Sequence, residues 1–121
     1  MTEQATGSDD LRQQITAELT RSQDDLLISL VPEHLDGRLY SRGGLIAHGR
    51  QILRTAIAQI RGPICLAYRT NKDSVRDSVD AAVLIVPIIA ASAIGVPVLS
   101  LAALIAKIGI AQLCRERTDD A

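Results

Sequence analysis

Residues 81–106, AAVLIVPIIAASAIGVPVLSLAALIA, form an apolar stretch without a single charged side chain in this chain of 121 residues. Gly95 and Pro97 interrupt the stretch near its middle. Glycine suits the left-handed position that ends a helix, and proline suits the first turn of the next helix. The sequence therefore predicts two apolar helices, at about 75–94 and 97–116, which form an antiparallel hairpin.

Two amphipathic helices are predicted before the hairpin, at about 10–31 and 45–61. In each of them apolar residues recur at helical spacing, and charged residues occupy the other positions. Pro32 is expected to end the first helix, and Gly62 with Pro63 is expected to end the second. The predicted fold is all-α: a small bundle of about four helices with an apolar C-terminal helical hairpin.

The length of the chain predicts one domain. Residues 1–8 are mostly polar, so we expect a disordered acidic tail there and a single helical domain over residues 9–121. Only 2% of the residues are aromatic, which argues against a stacking platform for single-stranded nucleic acid. The first ten residues do not have the pattern of a secretory signal, so we expect a cytoplasmic protein, with the inner membrane as the alternative.

The hairpin is apolar on most of its sides, and two amphipathic helices with one stripe each leave much of it bare. A large apolar side chain left in water forfeits roughly 1.5–3 kcal/mol of burial. The sequence therefore predicts an interface with a second copy or a larger protein partner. The residues expected in that interface are Leu84, Ile88, Ile89, Leu101, Leu104, Ile105 and Ile108. This is the leading hypothesis for function: a non-enzymatic helical interaction or assembly protein.

Membrane insertion is the first alternative. As one continuous helix, the 26 uncharged residues would extend roughly 39 Å, enough to cross a hydrocarbon core of about 30 Å. Against this, the break at Gly95 and Pro97 leaves shorter apolar segments of the length found in core helices. The alternative function is a small membrane-inserted effector or anchor that uses residues 81–113.

Charge is strongly segregated along the chain. Residues 1–36 have a net charge of −6, residues 37–72 have +7, and residues 73–121 have −2. One interpretation is that the acidic first segment pairs with the basic second segment. A second is an anion site in the arginine-rich segment 38–72 for phosphate, nucleic acid or anionic lipid, and a third is the docking of an acidic partner protein. The candidate residues of the anion site are Arg38, Arg42, Arg50, Arg54 and Arg61.

No motif for catalysis, metal binding or a cofactor is found, so none of these functions is predicted. His34 and His48 are the only histidines, and neither belongs to a recognisable catalytic pattern. Cys65 and Cys114 are far apart and lack metal-site spacing, so they are interpreted as two partly buried thiols, with a disulfide as the alternative. Nucleic acid is an unfavoured partner, because the net charge of the whole chain is −1.

The last predicted helix, GVPVLSLAALIAKIGIAQLC from Gly95 to Cys114, resembles the C-terminal segments of small helical proteins encoded beside bacterial defence or conflict genes. The resemblance covers about a sixth of the chain. It implies a bacterial accessory protein that works with neighbouring proteins, and it carries no functional residue over to this sequence.

Overall fold

A computed structural model describes residues 2–32, 41–92 and 94–120, with side chains described from residue 10 to residue 115 of these ranges. Helices dominate all three ranges, and no strand occurs within them. The helices in these ranges are α1 (Thr2–Leu19), α2 (Gln23–Ser29), α3 (Arg42–Thr70), α4 (Ser78–Ser92), α5 (Val98–Ile108) and α6 (Ile110–Asp120), and a 3₁₀ turn lies at Lys72–Ser74. The predicted all-α fold is confirmed.

Helix α5 lies at the centre of the molecule. Every residue from Ser100 to Ala106 is buried, and Leu101, Leu104 and Ile105 are at most 1% exposed. Helices α1, α2 and α4 pack around α5, and α6 follows it after a break at Gly109. A helix that is apolar all round is stable in water only when it is covered in this way.

Helix α3 is the long scaffold that joins the outer helices. Its 29 residues extend about 43 Å, which allows it to contact α2, α4 and α6. Ser41 caps its start, because the Ser41 Oγ accepts a hydrogen bond from the backbone N–H of Gly44 at 3.1 Å.

The prediction of one helix over residues 10–31 is wrong, because the structure divides this segment into α1 and α2. The chain turns at residues 20–22, and the Ser22 Oγ accepts a hydrogen bond from the Asp25 N–H at 3.1 Å. Serine prefers such a cap to a helix interior, because its hydroxyl competes for backbone hydrogen bonds. The turn allows Ile15 of α1 and Leu26 of α2 both to be fully buried.

Helix α1 also begins earlier than expected. Its backbone is helical from Thr2, where the sequence predicts a disordered tail over residues 1–8. Met1 lies outside the described residues.

The second amphipathic helix does not end at Gly62 and Pro63 as predicted, since α3 continues through them to Thr70. Pro63 is exposed, so its ring lies on the solvent side of the helix. Directly after it, Ile64 and Cys65 are 0% and 2% exposed. Their burial offsets the backbone hydrogen bond that proline removes. Residues 64–68 therefore belong to the same continuous helix.

The apolar hairpin is formed by α4 and α5, which pack against each other across a short turn. Gly95 has a φ of 76°, so the predicted left-handed position is confirmed. Pro97 is the cap residue immediately before α5. The predicted helix 97–116 is interrupted once, at Gly109, whose φ of 104° separates α5 from α6.

Cys65 and Cys114 are joined in a disulfide, so the interpretation of two thiols is wrong and the alternative holds. The bond connects α3 to α6, with a distance of 5.6 Å between the two Cα atoms. The sequence could not predict the bond, because the two cysteines are 49 residues apart and only the packing of α6 against α3 brings them together.

Candidate interaction surfaces

Four of the seven predicted interface residues lie inside the chain's own core. Ile89, Leu101, Leu104 and Ile105 are at most 1% exposed in a single chain, so they are not accessible to a partner. The prediction of an interface is therefore wrong for these four. The prediction assumed that only two helices cover the hairpin. In the structure, α1, α2 and α4 surround α5, and α3 supports both α2 and α4.

Leu84, Ile88 and Ile108, the other three, remain partly exposed. Leu84 and Ile88 are partly buried, pack against the core, and lie along the edge of the side of α4 that is turned away from the buried residues of this helix. We call this side the outer face of α4, and it consists of Val83, Leu84, Pro87, Ile88, Ala90 and Ala91. Helical spacing separates the two sides of α4, since the opposite side holds the buried residues Ala81, Ala82, Ile85 and Ile89.

The charge of α4 is confined to its first turn. Asp80 accepts a hydrogen bond from Arg12 of α1 at 2.8 Å, and this contact is also an ion pair. That hydrogen bond, followed by one from the backbone N–H of Arg76, holds the pKa of Asp80 below its ordinary value of 3.8. Beyond Asp80 the helix carries no charged residue as far as Ser92. The outer face of α4 is thus an uncharged apolar surface.

The five candidate anion-binding arginines do not form one cluster. Arg38 lies outside the described residues. Arg42 is bound to Asp25 of α2 at 3.0 Å, so one contact of the predicted kind between acidic and basic segments exists within the chain. The hydrogen bond from Arg42 holds the pKa of Asp25 below 3.8. Arg61 is half-buried further along α3.

Arg50 and Arg54 are brought together at one cavity, which we call the arginine pocket. It has a volume of about 210 Å³ and lies between α2, α3 and α5. The lining residues are Gln23, Leu27, Arg50, Leu53, Arg54, Leu104 and Ile108. Sequence reasoning included the two arginines among five candidates because they belong to the basic segment. It missed the apolar lining from α2 and α5, because no local pattern shows which helices meet α3.

A second cavity of about 300 Å³ lies between α3 and the turn before α5. Its lining residues are His48, Gln51, Ile52, Thr55, Ala56, Gln59, Ile94 and Val96. His48 is therefore a residue of α3 beside a cavity. His34 lies outside the described residues.

Two further tests concern metals and membranes. Within the part of the chain that the structure describes, no group of three or more His, Cys, Asp or Glu side chains is arranged to hold a metal ion. Among the helices that the structure describes, none combines the length and the apolar character needed to span a bilayer.

No protein-family model matches the chain, and neither does any curated protein or solved structure.

Proposed function

We propose that this protein is a non-enzymatic helical interaction protein that associates with a second copy of itself through the outer face of α4. The observation that carries the proposal is an exposed helix face without a charged residue between Asp80 and the end of the helix at Ser92. Pro87, Ala90 and Ala91 are exposed at its centre, and the larger Leu84 and Ile88, which are partly buried against the core, lie along one edge. A contiguous apolar surface of this kind is typical of an interface.

The chemistry of this face favours a second copy over a different partner. An uncharged face offers no charge pattern by which a particular partner would be selected. A two-fold arrangement places the same apolar face on both sides, so both copies cover their exposed residues at once. The small side chains of Ala90 and Ala91 allow the two α4 helices to approach closely.

The test is the mass of the protein in solution. Light scattering across the micromolar range is expected to give twice the chain mass of 13.0 kDa for the wild type. Ala91→Glu places a charge at the centre of the interface and is expected to give the mass of one chain. Because Ala91 is exposed, this substitution does not disturb the core.

Ala47→Glu is the matched control, since Ala47 is also an exposed helical alanine, on α3 instead of α4. This variant is expected to keep the wild-type mass. A wild-type protein that remains a monomer at all concentrations would overturn the proposal, and so would an Ala91→Glu variant that associates like the wild type. Substitutions at Ile89 or Leu104 cannot serve here, because a charge at either buried position would unfold the chain.

A further inference from the structure

We propose that the arginine pocket binds a small amphipathic anion, with the alkyl tail against Leu27, Leu53 and Leu104 and the acidic head group between Arg50 and Arg54. The two halves of this ligand correspond to the two parts of the pocket. The proposal concerns α2, α3 and α5, and it does not depend on self-association through α4.

The inner part of the pocket is apolar and rigidly held. Leu27, Leu53 and Leu104 are 4%, 9% and 1% exposed, and they come from three different helices. Their side chains are fixed by the core, so a ligand would not have to order them on binding. Water in such a cavity finds few hydrogen-bond partners, and an alkyl chain that displaces it gains burial.

The mouth of the pocket is cationic. Arg50 and Arg54 lie one turn apart on the same side of α3, and both are exposed. Neither forms a salt bridge with an acidic side chain of the residues that the structure describes. No acidic residue lines the pocket. Two adjacent guanidinium groups can each donate paired hydrogen bonds to a carboxylate or a phosphate, so the mouth selects an anionic head group.

The dimensions of the pocket favour a small molecule over a peptide helix or a nucleic acid. A volume of 210 Å³ holds about seven water molecules at roughly 30 Å³ each. Its seven lining residues come from three helices, and a cavity of this volume is smaller than the long groove that a peptide helix would need. A nucleic acid would contact only two arginines and an apolar surface. That gives few contacts to phosphate groups and no surface on which bases could stack. A short alkyl chain with one acidic group fits both the volume and the lining.

The test compares ligands that carry only one of the two features. Octanoate and octyl phosphate are titrated into the full chain below their micellar concentrations, with acetate and 1-octanol as ligands that lack the tail or the charge. Binding is followed by calorimetry and by shifts of the Leu27 and Leu104 methyl resonances. We expect saturable binding of at least one octyl anion and none of acetate or 1-octanol. The octyl anion that binds more tightly identifies the head group as a carboxylate or a phosphate.

Variants at the mouth test the role of the arginines. Arg50→Gln and Arg54→Gln are each expected to weaken the binding of the octyl anion about tenfold, because each removes a charge-assisted contact. Arg76→Gln is the control, since Arg76 is exposed outside the pocket, and it is expected to leave affinity unchanged. All three positions are exposed, so the variants are expected to fold.

Three results would overturn the proposal. The first is the absence of saturable binding of either octyl anion. The second is equal binding of acetate and octanoate, which would reveal an unspecific anion effect. The third is an affinity for the octyl anions that neither Arg50→Gln nor Arg54→Gln reduces. Repeating the titration with Ala91→Glu separates the pocket from self-association, since binding is expected to persist in that variant.

Discussion

Gly49 of α3 lies so close to Leu27 of α2 that a Cβ atom at position 49 would overlap the backbone carbonyl group of Leu27. Helix α2 has only seven residues, and an isolated helix of that length is not stable in water. Its position therefore depends on its packing against α3 and α5. Gly49 permits the closest part of that packing, and Leu27 in turn lines the arginine pocket.

Gly49→Ala is expected to lower the free energy of unfolding by about 1–3 kcal/mol, because the added methyl group forces α2 and α3 apart. Urea denaturation followed by circular dichroism measures the change. Gly43→Ala is the control within the same helix, since a Cβ atom there would meet only the Ser41 Oγ at 3.9 Å. That variant is expected to be as stable as the wild type or slightly more stable. Equal stability of the two variants would contradict the close contact.

Leu104 and Leu66 differ in burial and provide a test of the central position of α5. Leu104 is 1% exposed, whereas Leu66 on α3 is 64% exposed. Leu104→Ala is expected to lower the free energy of unfolding by about 2–5 kcal/mol, and Leu66→Ala to change it by no more than about 0.5 kcal/mol. Both are measured by urea denaturation at a concentration where the wild type and the variants have the same mass in solution. A small effect of Leu104→Ala would mean that α5 is not enclosed by its own chain.

The disulfide between Cys65 and Cys114 is expected to stabilise the fold by about 2–4 kcal/mol, because it closes a loop of 49 residues in the unfolded chain. Dithiothreitol should therefore lower the urea midpoint of the wild type. The variant with both Cys65→Ala and Cys114→Ala should be less stable and should not respond to dithiothreitol. Two free thiols, detected by labelling of the unfolded protein without reductant, would contradict the bond.

The ion pair of Asp25 with Arg42 predicts a pH dependence with a definite sign. The pKa of Asp25 in the folded state lies below the ordinary value of 3.8, so the unfolded state takes up its proton at a higher pH than the folded state. The contribution of the pair to stability is therefore present above the ordinary pKa, and it is lost as the pH falls through the lowered pKa.

Arg42→Gln tests this sign directly. Side-chain carboxyl resonances followed in a pH titration are expected to show the pKa of Asp25 rising towards 3.8 in the variant. Asp80, whose pKa is lowered by Arg12 of α1, is the internal reference and should titrate as in the wild type. An unchanged pKa of Asp25 would show that the pair does not form in solution.

The sequence predicted the fold class and the main apolar elements well, but it did not predict which parts of the chain pack against them. Gly95 was recognisable as a helix break because a left-handed residue is a local requirement. Pro63 was misread as a helix end, because the burial of Ile64 that offsets its effect is a tertiary contact. Arg50 and Arg54 were identified as two of five candidate arginines in the basic segment, but the apolar residues beside them include Leu27 and Leu104 from distant segments of the chain.

The sequence by itself determined that the chain is helical, that the uncharged stretch 81–106 turns back at Gly95, and that its basic residues concentrate in one segment. These properties follow from spacing, from backbone preference and from composition, which act within a few residues. Only the tertiary structure decided that α5 is enclosed by its own chain, that the outer face of α4 remains exposed, and that Cys65 meets Cys114. An apolar stripe shows that a helix must be covered, but the helix that covers it is selected by the packing of the whole chain.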